Sequence, residues 1–177
     1  MRKLLQLLIV VASSLLGCAQ SPTPAACPSL EHEPAPAAAE ALEERISALA
    51  AAEGTVSITI TEDEATAYLQ HRLLSDNTIK PRITLRNETI CVETNLPCLG
   101  RQLPVVAELT PYVADGHLAV KLTTLSLQGR RIPGWLRHSA ESTLNELLVE
   151  LGGTAIVRSA ALQDHSLTLV IQLPSVH

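Results

Sequence analysis

Hydrophobic positions along this chain recur with two periods, and the switches between them outline one folded domain. Residues 37–52 hold strong helix formers, with Leu42, Ile46, Leu49 and Ala50 at roughly helical spacing. In the stretch TVSITI, residues 55–60, apolar and polar side chains alternate, so Val56, Ile58 and Ile60 share one face of a half-buried strand. Thr61 and Glu64 then stand in capping-box spacing, which opens a helix to about Ser75 with Ala65, Tyr68, Leu69 and Leu73 on its buried stripe.

Strands fill the middle. RITLR turns Ile83 and Leu85 inward, Asn87-Glu88 makes a turn, and TICVET returns. LPVVAELTPYV places Leu103, Val105, Ala107, Leu109 and Val113 on one face, and Asp115-Gly116 is the strongest hairpin signal in the chain. HLAVKLTTLSLQG follows, with Leu118, Val120 and Leu122 inward and then Leu125 and Leu127; the change of parity at Thr123-Thr124 predicts a bulge or a sharp bend. Gly129, Pro133 and Gly134 turn the chain into a helix reaching about Leu151, striped by Trp135, Leu136, Ala140, Leu144, Leu147, Leu148 and Leu151 and stopped by Gly152-Gly153. A last hairpin turns at Asp164-His165 and puts Leu167, Leu169, Ile171 and Leu173 on one face. Sequential hairpins mean antiparallel pairing. The expected class is α+β: a strongly curved antiparallel sheet of about six to seven strands wrapped around one long and one shorter helix.

The N-terminal residues change the picture of where this domain works. Met1-Arg2-Lys3 is a short basic start, and residues 4–16 are apolar except for Gln6, Ser13 and Ser14. That run is too short for a finished membrane span and fits the apolar region of an export signal. It ends in Leu15-Leu16-Gly17-Cys18, which resembles the lipobox of bacterial lipoproteins. The resemblance implies cleavage before Cys18, a diacylglycerol on its thiol, and an extracytoplasmic protein anchored to the lipid bilayer, since several acyl chains on one residue hold stably. The organisation expected is thus a signal peptide at 1–17, a lipidated Cys and a Pro/Ala-rich tether at 18–40, and one domain at 41–177. Five prolines between Ala19 and Glu40 favour extended chain in that tether.

Charge narrows the partners. From Ala19 to Glu64 there are nine acidic residues and one basic, whereas from Ala65 onward nine acidic face ten basic, so the domain is near neutral and the acidity sits at the tether. A net negative chain argues against nucleic acid, because phosphate contacts need a basic surface. Beyond Cys18 stand Cys27, Cys91 and Cys98; in an oxidising compartment Cys91 and Cys98 can close a small disulfide loop containing Asn95 and Pro97, leaving Cys27 over. No nucleophile elbow, zinc motif, phosphate loop or dinucleotide glycine pattern occurs, and the six histidines have no metal-ligand spacing. The sequence therefore implies no enzyme, no metal and no cofactor, and Asp164-His165-Ser166 reads as a turn.

One corner concentrates polar chemistry: Arg130, Arg131, Trp135, Arg137 and His138 lie where a strand passes into the long helix. Arginines beside a tryptophan suit the headgroup of an anionic lipid. They equally suit a tryptophan plugging one end of the core with arginines lying over it. ITITEDEATAYLQHRL, ADGHLAVKLTTLSLQGRRIPGWLRHSAESTLNELL and the closing VRSAALQDHSLTLVIQ resemble segments of the YpmS-like and LmeA-like extracytoplasmic proteins, over most of the domain. The resemblance implies half of a tubular lipid-binding module, without catalysis, whose apolar interior takes a phospholipid or other acyl-chain ligand. Leu122, Leu125, Leu144, Leu147 and Leu148 would line that cavity, with Arg130, Arg131, Trp135 and Arg137 at its mouth. The alternative is a structural lipoprotein with a filled core, acting as an envelope scaffold.

Overall fold

The computed structural model describes residues 34–49, 52–73, 79–98 and 100–174. The signal peptide, Cys18, Cys27 and the expected helix end near Ser75 lie outside those residues. Helix α1 (Pro36–Leu49) comes first, then strand β1 (Gly54–Thr61), helix α2 (Glu62–Tyr68) and one π-helical turn, Leu69–Leu73. Strands β2 (Arg82–Arg86), β3 (Thr89–Cys98), β4 (Arg101–Ala114), β5 (His117–Leu127) and β6 (Arg130–Arg131) follow, then helix α3 (Gly134–Gly152) and strands β7 (Ile156–Gln163) and β8 (Ser166–Leu173). Folded structure thus starts before Ala41: α1 begins at Pro36, and Ala39 is buried.

The α+β class with antiparallel pairing is observed, but the single strongly curved sheet is not. The strands form a three-stranded sheet, ordered β1-β8-β7, and a five-stranded sheet, ordered β2-β3-β4-β5-β6, with three α-helices among the described residues. The predicted bulge is present: Leu109 pairs with Leu122 and Glu108 with Thr124, leaving Thr123 as the extra residue. One bulge re-aims one strand pair locally. The sheet does not roll up around it, and the outer strands separate into a sheet of their own.

Register explains the core. Ile83 pairs with Val92 and Leu85 with Ile90, so these four share a face. On that face Ile83 and Leu85 pack with Leu42, Ile58, Leu167 and Leu169, joining the two sheets and α1. Farther along, Leu109, Val120 and Leu122 pack with Ala140, Leu144 and Leu148 of α3. Thr61 caps α2 as expected: its hydroxyl accepts from the Glu64 N–H, and the Glu64 carboxylate accepts from the Thr61 N–H.

Cys91 and Cys98 do not pair with each other. Cys91 is disulfide-bonded, whereas the Cys98 thiol is free. Both lie on β3, which runs without a turn from Thr89 to Cys98. Seven residues of extended strand separate their Cα atoms by about 23 Å, far beyond the roughly 4–7 Å that a disulfide bridges.

Helix side chains bind the main chain along the β2 edge of the larger sheet and along the part of β5 that β6 does not pair. Along β2, the Thr66 hydroxyl accepts from the Ile83 N–H at 3.0 Å, and the Glu62 carboxylate accepts from the Leu85 N–H. Along β5, Asn145 accepts from the Val120 N–H at 2.8 Å and donates to the Val120 carbonyl at 3.0 Å, while Glu141 accepts from the Leu122 N–H at 2.8 Å. Each helix uses a glutamate and a polar residue four positions later to reach alternate strand residues. The match is geometric, since four helical residues rise about 6 Å and two strand residues about 6.6 Å.

Candidate functional site

Helix α3 is fastened to the sheet through its polar side chains, and this leaves much of its apolar surface open. Glu141 and Asn145 hold it to β5, and Arg137 donates from Nη1 to the Thr123 carbonyl at 2.8 Å, at the bulge. Inward, Leu136 is buried with Leu127, and Ala140, Leu144 and Leu148 pack partly buried against Leu109, Val120 and Leu122. Leu147 and Leu151, four residues apart and therefore on one face, are 39% and 65% exposed. Trp135, at the other end of the helix, is 66% exposed. The helix runs antiparallel to β5, so its C-terminal end comes beside the β4–β5 turn, where the Val157 N–H donates to the Gly116 carbonyl and Ile156 is 44% exposed.

The residues expected at a lipid site divide into three groups. Leu122, only 2% exposed, belongs to the packed core beneath the helix rather than to a surface. Leu125, Leu144 and Leu148 are half buried, and Leu147 is exposed. Arg130 and Arg131 are exposed on β6, paired with Leu127 and Ser126. They are successive strand residues, so they project from opposite faces. Trp135 does not plug the core: Leu136 fills that place with Leu127, Leu103, Val105 and Ile132. Leu151 belongs to the same open flank. The sequence placed it on the buried stripe, because a stripe pattern cannot tell an apolar flank that is covered from one that is not.

Open hollows indent the described surface, two of them beside charged side chains. One, of about 530 Å³, is lined by His138, Glu141, Ser142, Asn145, Glu146 and Val149 on the polar side of α3. The other, of about 450 Å³, is lined by Leu85, Arg86, Asn87, Asp164 and His165. Neither is lined by the leucines expected to enclose acyl chains. Comparison with protein-family models and with curated proteins finds no match to this chain. No group of three or more histidines, cysteines or acidic residues among the described residues is placed to hold a metal, and no described helix is long and apolar enough to cross a membrane.

Beside the second hollow lies an arrangement that the sequence reading missed. Glu62 is 6% exposed; one carboxylate oxygen serves the Leu85 N–H, and the other lies 2.8 Å from Nδ1 of His165. The His165 N–H donates to the Leu85 carbonyl at 3.0 Å, so the β7–β8 turn is latched onto the β2 edge. His165 holds its place with a positive φ of 67°. The hydrogen bond to Glu62, and next its charge, raise the His165 pKa above the ordinary histidine value. Nearby, burial alone would raise the Glu64 carboxyl, but its pairing with Arg45 and its bonds to Thr61 outweigh this and hold it below the ordinary value.

A raised histidine pKa stabilises the fold on the acid side. The His165 contribution is fully present below its unfolded pKa of about 6.5 and is lost as the pH rises through the higher folded value. The gap in melting temperature between the wild type and His165→Ala is therefore expected to narrow as the pH rises from below about 6.5 through the raised folded value. An NMR titration should place the His165 ring above the ordinary value, and Glu62→Gln should lower it.

Proposed function

We propose that the protein is a membrane-anchored extracytoplasmic lipoprotein, non-catalytic, that takes lipid acyl chains on the open apolar flank of α3 and the sheet face beside it. Acylated Cys18 supplies the anchor. The observation that carries this reading is the way α3 is held: polar side chains fix it to β5, while Leu147 and Leu151 stay exposed next to half-buried Leu144 and Leu148. An apolar strip beside a packed core lowers its free energy by covering that strip with hydrocarbon. Arg131 and Trp135, exposed at the other end of the helix, suit the headgroup boundary.

The test uses the mature chain with Cys18→Ser, which carries no acyl chains of its own. It is titrated with a fluorescent fatty-acid analogue, and organic extracts of fresh preparations are examined by mass spectrometry. Saturable uptake is expected. Leu147→Ser with Leu151→Ser should weaken it about tenfold, the effect of withdrawing roughly 1.4 kcal/mol of apolar burial. Chain that extracts without lipid and takes up none on titration would instead favour an envelope scaffold with a filled core.

A further inference from the structure

The hollow beside His165 lies where two hairpin turns meet, Asn87-Glu88 after β2 and Asp164-His165 after β7. Four hydrogen bonds among three residues fix this place. The Glu62 N–H donates to the His165 carbonyl at 3.3 Å, and the His165 N–H to the Leu85 carbonyl. The Leu85 N–H donates to the Glu62 carboxylate, which also holds the His165 ring at Nδ1. The ring is thus anchored at one nitrogen while its side chain stays 79% exposed. Nε2 is the nitrogen left for a ligand. Glycine would take the φ of 67° here without strain, yet a histidine stands in its place. Backbone positions of this kind gather at working sites.

Charge supplies a second, independent observation. Arg86 lines the same hollow and is in no ion pair among the described residues. Its positive charge opposes protonation of His165, whereas Glu62 and Asp164 favour it. With Nδ1–H given to Glu62, Nε2 donates when the ring is the imidazolium, the form that the buried carboxylate favours. Two cations that face one hollow repel each other until an anion comes between them.

We propose that this hollow binds a phosphate group with a hydroxyl beside it, the glycerol phosphate group being the simplest case. The donors come from two separate turns and so approach from different directions, which suits a tetrahedral oxyanion better than a flat carboxylate. Arg86 presents a fork to two phosphate oxygens, His165 donates to a third, and the Asn87 amide adds a donor. Asp164 repels a bare phosphate, and its carboxylate accepts from a neighbouring hydroxyl. The volume, about 450 Å³, has room for more than an ion. The site does not rest on the acyl-chain reading, since no residue of α3 lines it. A soluble phosphate ester and a lipid headgroup both offer this group.

The mature Cys18→Ser chain is titrated with glycerol 3-phosphate at about pH 6, where the imidazolium is present, and the histidine ring signals are followed by NMR. A saturable shift is expected at His165, larger than at His117 and His138. Arg86→Gln, a change at an exposed side chain, should weaken binding at least about tenfold, as losing a charged hydrogen-bond partner does. Asp164→Asn should strengthen binding of inorganic phosphate and narrow the preference for glycerol 3-phosphate over it. Leu147→Ser with Leu151→Ser should change neither, which separates this site from the open flank of α3. Sedimentation with phosphatidylglycerol vesicles, against phosphatidylcholine alone, distinguishes the sources. Vesicle binding that Arg86→Gln removes assigns the group to a lipid headgroup; binding of glycerol 3-phosphate without it assigns the group to a soluble ester. No shift at His165 with either probe, or binding that Arg86→Gln leaves unchanged, would overturn the site.

Discussion

Glu62→Ala is expected to destabilise the domain by about 3 kcal/mol, lowering its melting temperature by roughly 10 °C. The residue looks from its type like one more surface acid in the run Glu62-Asp63-Glu64, yet it is among the most buried polar groups described. Its carboxylate serves two partners that come from different parts of the chain, the Leu85 N–H on β2 and the His165 ring on the β7–β8 turn. Removing it leaves an edge N–H without its acceptor and unlatches the hairpin from the sheet. Glu62→Gln keeps an acceptor for Leu85 and should lose noticeably less. Thermal melts of the two variants beside the wild type check this. An alanine variant melting within about 2 °C of wild type would mean that water replaces the carboxylate without loss.

Leu122→Ala should have a comparable effect, about 3 kcal/mol, through the cavity it opens under α3. Leu122 is enclosed by Leu109, Val120, Leu144 and their neighbours, so few atoms can move in to fill the space. The same substitution at Leu151, which is 65% exposed, should change stability by less than about 0.5 kcal/mol. Denaturant unfolding of the two variants thus separates the leucines that build the core from those on the open flank of α3. Equal effects at both positions would show that the outer flank is covered in solution.

Much of the fold is legible in the sequence because period-two alternation fixes which face of a strand is wet. The inward sets on β1, β4, β5 and β8, the Asp115-Gly116 turn and the extra residue at Thr123 follow from alternation and its one change of parity. Alternation says nothing of which strands leave one sheet for another, so the division into two sheets was not legible. The short strand β6 was hidden as well, because Gln128-Gly129 reads as an end of strand when it is a tight turn with both residues at positive φ. Cys91 and Cys98 looked close because they are near in sequence; an uninterrupted strand holds them apart. Glu62 and His165 are 103 residues apart, and only the pairing of β1 with β8 brings them together.

The paired glutamates and their companions four residues on have a consequence for how copies of this domain can meet. A bare strand edge offers its main chain to any other strand, and crowded neighbours on a membrane can polymerise through it. Here Thr66 and Asn145 occupy main-chain positions that an incoming strand would need on β2 and β5. On β1, Arg45 binds the Thr59 carbonyl in the same manner. These side chains therefore hinder strand addition along β1, β2 and β5.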